Sequence, residues 1–241
     1  MINSLRLLPA LLLFSLLFQP VYGQEAPAHT AITPVPRQGG WMTRHESFNE
    51  RVKQGDVDLI FIGDSITQGW EGGGKEVWSK YYGERKAVNL GISGDRTQHV
   101  LWRLDNGNLE GITPKVAVLM IGTNNSNGKD HTAAEIADGI KAIVKKLNTK
   151  LPNTKVLILA VFPRGEKPNP QREKNAEASK LAAELADDKQ VFYLDIGPKF
   201  LQEDGTLPRE IMPDLLHLSP RGYQIWAESI EGKLKELLGE K

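Results

Sequence analysis

The sequence predicts one three-layer α/β/α domain built on a parallel sheet. Short apolar runs, rich in β-branched residues, alternate with longer stretches of helical periodicity. The runs are almost continuously apolar, as expected of parallel strands buried on both faces. No internal repeat breaks the alternation, and 241 residues suit one domain or at most two. Crossovers between such strands are right-handed.

The elements follow in order. Phe48 to Lys53 reads as a short helix leading into the first strand. Asp58-Leu59-Ile60-Phe61-Ile62-Gly63 is an apolar run closed by glycine, hence a buried strand. Three consecutive glycines, 72–74, precede a helical stretch around Glu76–Tyr82. Lys86–Leu90 reads as the second strand and Gly91–Asp95 as the turn after it. Thr97–Asp105 carries Val100, Leu101 and Leu104 on one helical face. Lys115–Ile121 is the third strand. Ala133–Lys150 is amphipathic, with Ile136, Ile140, Ile143, Val144 and Leu147 at helical spacing. Lys155–Val161 is the fourth strand. A loop from Pro163 to Pro170 precedes a helix over Gln171–Ala186. Gln190–Asp195 is the fifth strand, and Pro220–Leu238 the last helix.

Ahead of this domain, residues 1–23 have the form of a secretory signal peptide. Arg6 precedes the apolar segment Leu7–Phe18, and Val21-Tyr22-Gly23 leads to a cleavage point before Gln24. The segment is too short to span a membrane. Export to the periplasm or the outside, without a stable membrane anchor, is therefore expected. Residues 24–40, with Pro27, Pro34 and Pro36, show no periodicity and read as a linker or extended lead-in. The globular domain is expected to begin near Trp41.

Composition narrows the function. Lys plus Arg and Asp plus Glu are both 30, so a nucleic-acid binder working through a global basic field is not expected. There are no cysteines, which excludes disulfides, thiolate metal sites and a cysteine-borne lipid anchor.

Polar residues that carry chemistry fall just past the strands. Asp64-Ser65 follows the first strand, Gly94 lies in the turn after the second, and Asn124 follows the third. Asp214-Leu215-Leu216-His217 precedes the last helix. In an open parallel sheet the carboxyl ends of the strands form the binding edge. Acyl transfer needs a nucleophile, a base, a group to orient the base and donors for the oxyanion. Ser65 supplies the hydroxyl, His217 the base and Asp214 the orienting carboxylate. The Ser65 N–H, the Gly94 N–H and the Asn124 amide are candidate oxyanion donors. Asp64, Ile66 and Leu216, beside these residues, are candidates for substrate contact; Ile66 and Leu216 would shorten an acyl pocket. Each residue has a plainer role open to it. Asp64-Ser65 can cap a helix, Asp214 can cap a turn, Gly94 can be a turn glycine, and Asn124-Asn125-Ser126 matches a glycosylation acceptor. The joint placement favours chemistry.

At these positions the sequence resembles the SGNH (GDSL-type) hydrolase family. Gly63-Asp64-Ser65, Gly94, Gly122-Thr123-Asn124 and Asp214-Leu215-Leu216-His217 match its four blocks in order. Asn89–Asp95, His99–Leu104, Pro163-Arg164-Gly165 and Arg172–Asn175 look like one branch, the catalytic subunits of intracellular platelet-activating-factor acetylhydrolase. The resemblance covers about residues 40–238. It implies a flavodoxin-like sheet of five parallel strands and a serine esterase needing neither cofactor nor metal. It implies Ser65, Asp214 and His217 as a triad, with Ser65, Gly94 and Asn124 forming the oxyanion hole. That branch dimerises, so a homodimer is an expectation too. Ser93 departs from the pattern, standing where the branch usually has glycine. The export signal is the larger departure, so the branch's lipid substrate is not carried over. The expected substrate is a short-acyl ester, acetyl in particular, of a carbohydrate or other small molecule.

Three rivals remain. One is a catalytically silent carbohydrate-binding or structural protein on the same fold, against which the intact Ser65, Asp214 and His217 speak. Another is a nucleotide- or flavin-binding domain, but Gly91-Ile92-Ser93-Gly94 lacks the dinucleotide spacing and no phosphate-loop lysine motif occurs. The third is a metallohydrolase, for which Asp64, Asp214 and His217 would have to serve without a two-histidine helix motif.

Overall fold

The structure, a computed structural model, describes residues 29–240. The expected signal peptide and the first five residues of the lead-in lie outside the described residues. Five strands form one parallel sheet: β1 (Leu59–Gly63), β2 (Ala87–Gly91), β3 (Val116–Met120), β4 (Lys155–Leu159) and β5 (Val191–Leu194). Their spatial order is β2-β1-β3-β4-β5, the flavodoxin-like order, which reverses direction between β1 and β3. Gly63 pairs in register with Gly91 on one side and Met120 on the other. The ends of β1, β2 and β3 therefore reach one level, and the loops that leave them share one edge.

Alternation along the strands feeds two cores. Ile60, Ile62, Ala117 and Leu119 face the layer made by α1 (Gly40–Lys53), α4 (Thr97–Asp105), α5 (Ala133–Lys150) and α6 (Pro170–Ala183). Leu59, Phe61, Val118 and Met120 face α2 (Ser65–Gln68), α3 (Lys75–Tyr82) and α7 (Pro220–Leu238). All five β1 residues are buried. An aromatic cluster anchors the second core: Trp70 and Trp226 are buried, their rings 5.0 Å apart, and Phe162 meets Trp226 edge-on at 4.9 Å. Such pairs add to the large apolar area that each ring removes from water.

Local signals set the helix bounds. Thr132 and Glu135 form a reciprocal capping box at the start of α5. Ser219 caps α7, Pro220 occupies its first turn, and Gly239 ends it in the left-handed region.

Two differences from the sequence reading have clear causes. The first helix is 14 residues long and starts at Gly40, eight residues before the expected Phe48. Its inner face is Trp41, His45, Phe48 and Val52. A buried histidine, stacked on Trp41 and met by the Asn49 and Asn108 amides, hid that periodicity. The other concerns residues 24–40, expected to be a linker or extended lead-in. Among the described residues of this stretch, Ala31 is fully buried, and a short 3₁₀ turn at Thr30–Ile32 packs on α4 and α5. Threonine and arginine side chains bond this segment to the domain, a contact that composition does not reveal.

Candidate active site

β1 delivers the hydroxyl. Gly63 ends the strand where any side chain would collide with Thr67 Oγ1 and Met120 O, so only glycine allows the next turn to pack this closely. The chain then enters α2. Asp64 caps it, with Oδ1 accepting the Ile66 N–H at 3.0 Å. Ser65 takes the first helical position and remains half-buried at the rim. From α7, the buried Tyr223 hydroxyl donates to Ile66 O at 2.7 Å and holds α2 from below.

The loop before α7 brings the imidazole to this serine across 152 residues of chain. His217 Nε2 lies 2.9 Å from Ser65 Oγ. His217 Nδ1 lies 2.6 Å from Asp214 Oδ2. The other Asp214 oxygen accepts the N–H groups of Leu216 (3.0 Å) and His217 (2.7 Å). Asp214 thus caps the turn with one oxygen and holds the imidazole with the other. Burial alone would push its carboxyl up, but the hydrogen bonds from the His217 ring and from the two N–H groups hold it below its ordinary value. The turn is bent tightly, with Leu215 at φ 63°, a conformation that costs a non-glycine residue. Hydrogen bonds from Leu215 N to Met212 O and from Gly165 N to Leu215 O, both 2.9 Å, maintain it.

Two more strand ends supply N–H groups. The turn after β2 puts Gly94 at φ 75°. Its neighbours are fixed from several elements: Ser93 N donates to Gln68 Oε1 of α2 (2.7 Å), and Asn124 Nδ2, after β3, donates to Asp95 O (2.9 Å). Ser65, Gly94 and Asn124 are thereby tied through one network. Among the described residues, neither the Ser65 N–H nor the Gly94 N–H has a hydrogen-bond partner. Unpaired N–H groups on the edge that carries a hydroxyl–imidazole pair are what a developing oxyanion requires.

The turn rests on a charged pair. Asp95 and Arg103 are both fully buried, with Arg103 Nε 2.8 Å from Asp95 Oδ2. Trp41 Nε1 donates to Asp95 Oδ1 at 2.6 Å, and Arg103 Nη1 to Asn108 Oδ1 at 2.7 Å. Burial pushes the carboxyl up and the guanidinium down, and direct contact offsets both. Arg164 braces the opposite wall, donating to Thr123 Oγ1 and Asn127 Oδ1 at 3.2 Å. Sequence reasoning assigns no role to Arg103 or Arg164. Both lie in stretches that resemble the acetylhydrolase branch, but nothing local marks Arg103 as a buried arginine.

Of the three residues expected at the substrate, the structure brings one to open space. Leu216 helps to line a cavity of about 390 Å³ with Arg164, Gly165, Asn169, Gln171, Asp214 and Leu215. Asp64 and Ile66 are 0% and 1% exposed. The helix cap turns the Asp64 carboxyl inward, and Ile66 then faces the second core beside Trp70. Neither borders the cleft. Asp64 Oδ2 is buried without a hydrogen-bond partner, and burial pushes this carboxyl up to about 7. His99 is occupied elsewhere: its Nδ1 accepts the Arg96 N–H at 3.0 Å. Burial, with Arg37, Arg96 and Arg103 nearby, pushes the ring down to about 4.

The geometry agrees with the similarities to known proteins. The sequence profile of the GDSL-like lipase/acylhydrolase family matches residues 61–225. The human platelet-activating factor acetylhydrolase IB subunit alpha1 is 41% identical over 221 residues, covering 90% of this chain and 94% of that protein. A Streptococcus pneumonia structure described as a candidate platelet activating factor superposes with a TM-score of 0.67 at 27% identity, over 80% of this chain and 94% of the other. A carbohydrate acetylesterase from Sinorhizobium meliloti shares the fold, with a TM-score of 0.58 at 22% identity over 75% of this chain and 99% of the other.

Proposed function

We propose, for a chain that belongs to the GDSL-like lipase/acylhydrolase family, that Ser65, His217 and Asp214 are the triad of a carboxylic ester hydrolase acting through an acyl-enzyme. One observation carries the reading: the unbroken contact from hydroxyl to imidazole to carboxylate, 2.9 and 2.6 Å. The Asp214 carboxylate keeps the imidazole proton on Nδ1, which leaves Nε2 to accept. As Ser65 Oγ attacks the ester carbonyl, its proton passes to Nε2. The carbonyl oxygen becomes an oxyanion and takes hydrogen bonds from Ser65 N–H, Gly94 N–H and the Asn124 amide. The tetrahedral species collapses, the C–O bond to the alcohol breaks, and His217 gives that alcohol its proton. Water, activated by the same imidazole, then releases the acid and restores Ser65.

Within this reading the acyl group is short and acetyl is preferred. The acetylhydrolase activity named for the human relative supports this, as does the branched Leu216 next to the base in sequence. The His217 and Asp214 side chains are 44% and 56% exposed, so the rim around the imidazole is open. An open rim suits a carbohydrate or other small alcohol. Residues 1–23 would direct the enzyme out of the cytoplasm and be removed; an intact Met1 on the soluble protein would refute that part. A panel of p-nitrophenyl esters from acetate to palmitate, with acetylated glycans, tests the function. Acetate is expected to turn over fastest, and Ser65→Ala is expected to turn over none. Full turnover in the alanine variant would end the reading, and faster cleavage of long chains would end the acetyl preference.

A further inference from the structure

Arg37 lies in the Pro-rich stretch ahead of α1, where no motif directs attention. That stretch is strapped to the domain. Thr97 Oγ1 donates to Ala31 O at 2.7 Å, Val35 N donates to Gln98 O at 3.3 Å, and Thr30 Oγ1 meets His131 Nε2 at 2.8 Å. The strap follows the start of α4 and reaches the turn after β2. There Arg37 Nη1 donates to Ser93 O at 2.7 Å. A β-carbon on Gly94 would fall 3.1 Å from Nη1 and 3.3 Å from Nη2, so the guanidinium lies against Gly94 itself.

Ser93 C=O and Gly94 N–H belong to one peptide unit. In a trans peptide the two point in opposite directions. Whatever holds the carbonyl therefore aims the N–H. A glycine at φ 75° with an exposed serine before it offers little steric resistance to rotation of that peptide plane. Rotated by half a turn, the unit would present its carbonyl oxygen where the N–H now stands, and would repel an oxyanion instead of receiving it. The other polar groups near the turn are held elsewhere: Ser93 N by Gln68, Asp95 O by Asn124, and Gly91 O by Arg44 Nε at 2.9 Å. Among the described residues, only Arg37 donates to Ser93 O. Asp95 lies 3.6 Å from the same guanidinium but already accepts from Trp41 and Arg103.

We propose that Arg37 is a positioning residue that fixes the Ser93–Gly94 peptide plane and so aims the Gly94 N–H at the oxyanion. The inference rests on the esterase reading above and deepens it: the strap becomes a working part of the site.

Steady-state kinetics on p-nitrophenyl acetate test it, with folding checked by circular dichroism. Arg37→Ala is expected to lower kcat about 10- to 100-fold, short of outright loss of a donor, because the N–H is misaimed and not removed. KM should change less than about threefold, since the lost interaction belongs to the transition state. Arg37→Lys, which keeps the charge and one donor, should lose only a few-fold in kcat, and methylguanidinium should partly restore the alanine variant. Wild-type kcat in Arg37→Ala would overturn the proposal. So would a loss confined to KM, which would make the side chain a substrate contact. So would a kcat loss that neither lysine nor methylguanidinium recovers, which would reflect strap packing alone. If the alanine variant does not fold, Arg37→Met, which keeps much of the stem and removes every donor, decides: a kcat loss at constant KM supports the proposal, and an unchanged kcat overturns it. Full-rate Arg37→Ala in an enzyme that Ser65→Ala silences would sink this inference alone. Full-rate Ser65→Ala would sink both.

Discussion

Replacing Asp64 by asparagine probes the ground on which the nucleophile stands. Asparagine can keep the cap, since its oxygen can accept the Ile66 N–H as Asp64 Oδ1 does at 3.0 Å. What it removes is an ionisable group that is 0% exposed and has one unpartnered oxygen. The facing charges and titratable groups are Asp95, His217, Arg164 and Tyr223, and they are present in both proteins. Burial raises this carboxyl from its ordinary 3.8 to about 7. The folded state therefore holds the proton more tightly than the unfolded chain. The resulting stability is fully present below about pH 4, where both states are protonated. It is lost as pH rises toward 7, because the unfolded chain ionises first. The slope is about 1.4 kcal/mol per pH unit, which sums to about 4 kcal/mol as an upper bound. Urea unfolding of both proteins between pH 4 and 8 gives the difference directly. Asp64→Asn should gain on the wild type as pH rises to about 7 and then run parallel to it. A difference that stays flat across that range would refute the buried, proton-holding carboxyl.

Three further outcomes follow from the same contacts. Asp214→Ala should lower kcat by two to four decades, because the imidazole loses both its tautomer and its orientation, with solvent at this exposed carboxylate limiting the loss; kinetics on the acetate ester measure it. Asn124→Ala should lower kcat by about 100- to 1000-fold, the usual result of losing one oxyanion donor, while fluorophosphonate labelling of Ser65 persists at a reduced rate. Asp95→Ala should cost about 3–5 kcal/mol in urea unfolding, because it strands the buried Arg103 guanidinium without its partner.

The sheet was legible because its strands are apolar runs that helices separate, and α4, α5 and α7 were legible from their periodicity. The residues of the hydroxyl–imidazole–carboxylate contact were legible from motif order, since each follows a strand or precedes α7. Direction of burial was not. Asp64 and Ile66 flank the nucleophile in sequence, yet capping turns one inward and helical rotation turns the other. Nor were the supports of the oxyanion turn. Nothing in the sequence of α4 shows that Arg103 lies buried against Asp95 and Asn108. Arg37 reaches Ser93 across 56 residues, and local composition does not encode such a contact. Motifs report groups that react, whereas the groups that aim them are set by tertiary packing.

Whether the hydroxyl of residue 65 is the atom that takes up the acyl group is most directly tested by covalent trapping. Intact-protein mass spectrometry after a fluorophosphonate, followed by peptide mapping, should find one adduct, on Ser65, in the wild type. It should find none in Ser65→Ala, and slowed labelling in His217→Ala. An adduct on another residue, or equal labelling of wild type and Ser65→Ala, would contradict the account.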